Sequence, residues 1–501
     1  MQTFNLISEP WIEVQNGKAV SLLDVFSDPK IPMLAGTPIE KLSIFKLLLA
    51  VAQSALTPND EEQWHKIGFD GFRSRAIDYL NKNVEKFDLH GEKPFLQYPE
   101  LQGRCRDAEI SNFLPHVASG NTTILFDSQQ AIALDEQSKA KLLVAQMGFG
   151  FGGKKADNSF SLTPNYEGKS KAAKSGPSLG FMGFMHNFWL DEHSLARSVW
   201  MNLISKEAAK SYLNKEIGTA PWESRPAGEG CNVAKALKNT YMGRLVPISR
   251  FCLIQGNNLL ITEGIAHPSY LEGEADASIA QKPGKPKPKI LWVNPDLKPW
   301  RQLPALLSYL GKNNDGYECP QLRFVNERFR LLDMENVLLW SCGTAVSNNA
   351  GEQYLSGKND AVDSTVVFPV NVFGEAWYDR FTAHFERLDN VAKSLYGAIS
   401  RYHSEMKADG AEHAKRCSNS YWLGLETDLD KLIDLCQSHP ADSEQSQKFI
   451  QKTNNYAWSL YDKFTGKETA RQISAWAKNK PNFNFSGKKT AVSNSSKGKK
   501  A

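Results

Sequence analysis

Residues Trp377 to Tyr402 read WYDRFTAHFERLDNVAKSLYGAISRY, with Trp377, Phe381, Phe385, Leu388, Ala392, Leu395, Ile399 and Tyr402 recurring every three or four positions. That is the period of an α-helix with one apolar face. The pattern predicts one helix of about 36 residues, roughly 54 Å long, stopped by Gly410. Tyr421, Leu425, Leu429, Leu432 and Cys436 mark a second helix before Pro440, Phe449, Tyr456, Leu460 and Phe464 a third, and Ile473 with Trp476 a shorter fourth before Pro481. Four such helices with short connections pack as an antiparallel bundle. Upstream of Pro369 the periodicity is mixed, which makes the chain α+β. We read a large mixed α/β N-terminal domain with long loops at 1–368, a four-helix bundle at 369–480, and a disordered Lys-rich tail at 481–501.

Within the mixed part, Phe4 to Val25 reads as a strand pair, with Trp11, Ile12 and Val14 joined through Gln15-Asn16-Gly17-Lys18 to Val20 and Leu22. From Ile39 to Leu56 the residues Leu42, Phe45, Leu48, Leu49 and Ala52 fall at helical spacing, predicting a buried helix that ends near Pro58. A second helix is expected around Phe72 to Val84. Residues 111–185 are dominated by Ser, Asn, Gln and Gly around one helix at about Ser138 to Gln146, the texture of long functional loops. Arg250 to Ile254 and Leu259 to Ile261, joined by Gly256-Asn257-Asn258, predict a hairpin.

Composition excludes several classes of protein. A chain of 501 residues exceeds what one core absorbs, and 41% hydrophobic residues with 26 Phe, 15 Tyr and 12 Trp exclude a disordered chain. The longest apolar run, Ile44 to Ala52, is too short to span a membrane and carries Lys46 inside it. Met1 to Glu9 has no basic residue and no cleavable apolar region, so a cytoplasmic location with no membrane partner is expected. Seven scattered Cys without a CxxC pair predict reduced, buried thiols and no metal. The net charge of +4 hides an asymmetry: seven Lys and no acid lie between Lys478 and Ala501, which leaves the body at 4 − 7 = −3. Contact with a polyanion is therefore expected at particular spots rather than over a whole face.

Three such spots stand out. Gly148-Phe-Gly-Phe-Gly-Gly-Lys-Lys155 satisfies GxGxxG and nearly matches the phosphate loop, but Lys155 stands where a Ser or Thr would hold magnesium, and a helix rather than a strand precedes it. What survives is a glycine backbone that can approach phosphate oxygens, with two added lysines; a plain surface loop is the alternative. Gln281-Lys-Pro-Gly-Lys-Pro-Lys-Pro-Lys289 holds four Lys and three Pro with no acid, and is expected to be extended and solvated. Gly343 to Gln353 follows the apolar Val337 to Trp340 and ends in a polar tip at Asn348 and Asn349, able either to reach base edges or to form an ordinary turn. Catalysis finds little support: the ten His occur singly, His186 and His193 read as structural histidines, and no GxSxG elbow is present.

Phe4-Asn-Leu-Ile-Ser-Glu-Pro-Trp-Ile12, Phe87-Asp-Leu89 with Pro94-Phe-Leu-Gln97, Ser119-Gly-Asn-Thr-Thr-Ile-Leu-Phe-Asp127, the glycine loop, Leu179 to Leu203, the Asn348-Asn349 hairpin and the terminal helices follow one another in this order. In that order and spacing the chain resembles the CasA family, large subunits of the type I-E CRISPR surveillance complex Cascade, over nearly its whole length. The resemblance implies a non-catalytic subunit without cofactor or metal. Such a subunit binds the protospacer-adjacent motif in duplex DNA, helps part the strands and recruits a helicase-nuclease. Its implied partners are the guide RNA, the other Cascade subunits, double-stranded target DNA and that effector. The same resemblance assigns Asn121, Thr122 and Phe126 to a loop meeting the guide handle, Gly150, Gly152, Gly153, Lys154 and Lys155 to the glycine loop, and Asn348, Asn349 and Gln353 to a strand-parting wedge. Lys282 and Lys285 are the candidates for the motif-reading lysine. From other classes, a phosphate-loop nucleotide-handling enzyme and a purely structural assembly subunit are the alternatives.

Overall fold

The computed structural model describes residues 3–114, 132–151, 156–157, 159–163, 183–268, 276–285, 287–312, 316–349, 352–355, 360–440, 443–483 and 485. The chain divides into two compact units, Met1–Asn371 and Val372–Ala501. The last rung of the first unit's sheet is Pro369 opposite Asn336, so that unit runs a few residues past 368.

The first unit opens with strands β1 (Ile12–Glu13) and β2 (Ala19–Val20), paired antiparallel. The strand reading holds up to Val20 and fails at Leu22. Ser21 and Asp24 form a capping box, which starts helix α1 (Leu22–Ser27) instead. Helix α2 (Pro38–Ala55) starts at another capping box, Thr37 with Glu40, and Pro38 fits its first turn because that position needs no N–H. Every residue from Leu42 to Ala52 and on to Gln53 is buried, so α2 is the axle of the unit. Helix α3 (Glu61–Lys82) begins well before Phe72, because Gly68 at φ 66° kinks it and breaks the apolar period in its first half.

Strand β3 (Ala108–Glu109) and helix α4 (Glu136–Phe149) follow, then β4 (His186–Leu190) and α5 (Leu195–Met201). Short helices α6 (Lys206–Ala208), α7 (Asn232–Lys238) and α8 (Met242–Leu245) lead to β5 (Arg250–Gln255) and β6 (Asn258–Glu263), which form the expected hairpin. After β7 (Gln281–Lys282) and β8 (Lys289–Ile290) come α9 (Leu303–Leu306) and α10 (Pro320–Arg328). The unit closes with β9 (Asn336–Thr344), β10 (Ser347–Asn349), β11 (Glu352–Tyr354) and β12 (Ala361–Pro369). The main sheet is antiparallel in the order β12-β9-β4, and a smaller one runs β3-β6-β5. Phe45 of α2 meets Phe188 of β4 and Trp340 of β9 at ring separations of 4.9 and 5.6 Å, which seats the main sheet on the axle.

In the second unit α11 (Glu375–Glu405) has 31 residues, about 46 Å at 1.5 Å per residue. It stops at Met406 rather than at Gly410. Gly410 instead opens α12 (Gly410–Glu426), capped by the Asp409 carboxylate; a Cβ there would lie 2.4 Å from Ser400 O, so glycine lets the two helices approach. The second leg of the bundle is broken: α12 ends at Glu426 and α13 (Leu429–Ser438) restarts after Asp428, which holds Lys431 at 2.8 Å and Lys452 at 2.5 Å. Helices α14 (Glu444–Phe464) and α15 (Ala470–Lys478) complete the bundle. Its packing continues into the segment expected to be a disordered tail. Phe483 is buried against Trp458 at 5.4 Å, and Ser394 Oγ donates to Asn482 O at 2.8 Å, while residues 486–501 lie outside the described residues.

The apolar face read from Trp377 to Tyr402 is the buried one, and Leu395 is fully enclosed whereas Leu423 is 58% exposed. Leu395→Ala is expected to lower the stability of the bundle by about 2–5 kcal/mol, and Leu423→Ala by no more than about 0.5 kcal/mol. Chemical denaturation of the two variants measures both; equal losses would contradict the buried position of Leu395 on α11 and the exposed position of Leu423 on α12.

Candidate nucleic-acid interface

Lys46 interrupts the longest apolar run of the sequence and is only 2% exposed. A buried ammonium requires a partner. Its Nζ donates to Asp276 Oδ2 at 2.8 Å and to Arg244 O at 3.0 Å. Asp276 Oδ1 accepts the Ser278 N–H at 2.9 Å and the Ser278 hydroxyl at 2.6 Å, and Ser278 Oγ lies 2.8 Å from His186 Nδ1. Asn187 Nδ2 donates to Ser278 O at 3.2 Å and Ser341 Oγ to Asn187 Oδ1 at 2.8 Å. One polar chain thus joins α2, residues 276–278, β4 and β9 inside the core.

Burial opposes ionisation of Asp276, but the Lys46 charge and the Ser278 hydrogen bonds outweigh it and hold the carboxyl well below the usual carboxylate range. Burial pulls Lys46 down from its ordinary value, with Asp276 opposing. His186 is pushed down to about 3 by burial and by the Lys46 charge, so the imidazole is neutral at physiological pH. No group of three or more His, Cys, Asp and Glu able to hold a metal occurs among the described residues.

The surface segments singled out from the sequence are rooted around this chain. The Lys-Pro segment has extended, largely exposed arms but folds back on itself. Gln281 pairs with Ile290 and Lys282 with Lys289, closing a hairpin whose tip carries the exposed Lys285. The base of that hairpin is fixed by a buried cluster of Phe184, Ile279 and Ile290, and by backbone pairing of Gln281 with Glu318. The Asn hairpin continues directly from β9: Ser347 faces Tyr354, Asn348 faces Gln353 and Asn349 faces Glu352. Asn348 and Gln353 therefore share one rung, and Glu352 is an acid that the sequence reading did not single out. Where β9 passes the chain just before β4 and just after β8, Gly343 is required: a Cβ would lie 2.6 Å from both Phe184 O and Val293 Cγ2.

The glycine motif begins as the end of a helix. Gly148 and Phe149 form the last turn of α4, and Gly150 is its buried C-cap, where a Cβ would meet Gln146 Oε1 at 2.6 Å. Ser249, just before β5, donates its N–H and its hydroxyl to Met147 O in the last turn of α4, both at 2.8 Å, and Arg250 Nη2 donates to Phe151 O, just past the helix, at 2.8 Å. Phe149 packs on His186 at 5.8 Å, which links this root to the same chain. Gly150 is thus a packing glycine, while Gly152, Gly153, Lys154 and Lys155 lie outside the described residues. So do Asn121, Thr122 and Phe126, but the chain on either side of them is anchored: Ile110 N–H donates to Asn257 O at 2.9 Å and Leu134 N–H to Asn257 Oδ1 at 3.3 Å. Gln146 Nε2 donates to Phe113 O at 3.4 Å, beside the glycine motif.

Sequence reasoning found the loops and missed what holds them. Lys46 was visible as a charge in an apolar run, but its partner lies 230 positions away with no local mark. Among the described residues no helix is long and apolar enough to cross a membrane.

Comparison with known proteins defines the class. The family model for CRISPR-associated protein Cse1 matches residues 5–460. The crystal structure of Thermobifida fusca Cse1 shares the fold at a TM-score of 0.76 and 16% identity, covering 95% of this chain and 96% of that one. A chain of a CRISPR RNA-guided surveillance complex matches at a TM-score of 0.70 and 15% identity, covering 96% and 99%. A CasA/Cse1 protein of Thermus thermophilus is 37% identical over 142 residues, which span 25% of this chain and 27% of that relative. The chain belongs to the Cse1 family of CRISPR-associated proteins.

A His with a lowered pKa stays neutral in the folded state, while the unfolded chain takes up its proton below about pH 6.5. Stability linked to His186 is therefore full above that pH and falls as pH drops toward about 3, by about 1.4 kcal/mol per pH unit for one proton. His186→Gln is expected to flatten the acid limb of the pH–stability curve by close to one proton between pH 6 and 4. Unfolding of both proteins across that range measures this; identical slopes would contradict it.

Proposed function

We propose that this protein is the large subunit of an RNA-guided DNA surveillance complex, which binds the protospacer-adjacent motif in duplex DNA, helps part the strands and recruits a helicase-nuclease. The observation that carries this reading is the rooting of the lysine hairpin, the Asn hairpin and the glycine motif on the Lys46–Asp276–His186 chain, with both anchored ends of the 115–131 segment beside them. A protein whose target sequence is read by a guide RNA needs only to recognise a short motif and hold separated strands. Isolated lysines and a polar hairpin suit that division of work better than a uniformly basic face. The modest acidity of the body keeps non-specific attraction low.

The roles divide by chemistry. Lys282, Lys285, Lys154 and Lys155 act on phosphates or, for one of the first two, on groove acceptors; Asn348, Asn349 and Gln353 act on base edges and stacking. The second unit is the surface for neighbouring subunits and target strands. A nucleotide-handling role is less well supported, because the motif at Gly148 is fed by the C-terminal end of α4, where carbonyls rather than N–H groups accumulate. The subunit accordingly acts by binding and not by catalysis.

In the assembled complex, Lys154→Gln with Lys155→Gln is expected to weaken binding to all duplexes alike and to lower the salt slope by up to about two units. Lys282→Gln with Lys285→Gln should also reduce the slope, and in addition reduce preference for the motif. Replacing Asn348, Asn349 and Gln353 with Ala should leave the slope nearly intact and slow strand opening or erode discrimination. Binding at several salt concentrations to targets with and without the motif tests this set; a triple Ala variant with unchanged opening and discrimination contradicts the wedge role.

A further inference from the structure

Between the bases of the two hairpins stands a tryptophan that no reading so far has used. Trp292 follows β8 by two residues and is 41% exposed, whereas its neighbours Leu291 and Val293 are buried. Its backbone bridges to Phe184, and its indole rests on the Phe184 ring at 4.9 Å with 32° between planes. Phe184 itself is buried with Ile279 and Ile290, so the indole has a firm backing. Val293 N–H donates to Gly183 O at 2.7 Å, and a Cβ on Gly183 would lie 3.6 Å from both Thr344 O and Trp292 Cε3. The ring therefore stands where β9 leaves the sheet toward the Asn hairpin and where the lysine hairpin returns.

We propose that Trp292 is a stacking platform for an unpaired nucleobase released when the duplex is parted. A rigid, partly exposed indole with an apolar backing is the surface on which bases stack without regard to sequence. Four lysines within ten residues upstream, Lys282, Lys285, Lys287 and Lys289, supply charge for the attached phosphates. These features favour a nucleic-acid strand over a protein partner. The inference rests on the strand-opening function proposed above and adds to it a residue that captures the opened base rather than prising the pair apart.

The test uses the assembled complex with the full chain and a target duplex carrying 2-aminopurine in the displaced strand next to the motif. Trp292→Ala is expected to slow strand opening roughly tenfold or more, in line with the measured worth of a base–aromatic stack, and to lessen quenching of the probe. Trp292→Tyr should restore most of both, and neither variant should change the salt slope, because stacking releases no counterions. Trp292→Ala that opens the duplex at the wild-type rate overturns the inference and leaves the proposed function standing. Loss of the variant subunit from the purified complex also overturns it, by making Trp292 a contact to another subunit. If the wild-type complex does not open motif-bearing duplex at all, both readings fall.

Discussion

A lysine and an aspartate, each almost fully enclosed, hold the first unit's sheet, axle and surface hairpins in register. An isolated Lys46 ammonium in the middle of α2 would be severely destabilising, and the Asp276 carboxylate with the Arg244 carbonyl is what makes it tolerable. The consequence is geometric. Asp276 begins a segment that, through Ser278 and Ile279, reaches His186 of β4 and then runs into the lysine hairpin. Replacing such a pair by apolar residues often leaves stability unchanged or raises it, so what the pair contributes here is positional specificity. The alternatives open to an apolar contact, sliding or repacking by a fraction of a turn, are closed to a charge held by one carboxylate and one carbonyl.

The same chain explains how the protein can present irregular loops with accuracy. Long polar loops are poor at fixing their own position, and functional loops depend on the scaffold under them. Here a carbonyl in the last turn of α4 is taken up by Ser249, the chain just past the helix is held by Arg250, and both sides of the 115–131 segment are tied to Asn257. Packing of Phe149 on His186 couples that side to the ion pair. The family membership and the shared fold agree with a scaffold conserved in shape while its sequence has drifted to 16% identity.

Much of the fold was legible because it is written in local patterns. α2 and the β5–β6 hairpin have apolar patterns with recognisable cap or turn residues, and the long helix α11 has an unbroken apolar period. The errors came where a local signal had two readings. Ser21 with Asp24 could end a strand or cap a helix, and capping prevailed; Gly410 could stop α11 or permit close approach of α12, and it does the second. The break at Thr427–Asp428 was hidden because the apolar spacing runs through it. At the candidate site the residue types were readable, but their convergence was not, since the contacts that create it join positions up to 230 residues apart. The Lys-Pro segment illustrates the limit: composition identified a solvated strip, and only pairing of Lys282 with Lys289 shows that it folds back on itself.

Amide hydrogen exchange on a Lys46→Met variant tests most directly whether the buried pair fixes the hairpin bases. The account predicts that protection falls in residues 276–285 and 287–293 and at the β4–β9 junction, while the β5–β6 hairpin and the helices of the second unit keep theirs. Unchanged protection across 276–293, or an equal loss throughout the chain, would contradict it.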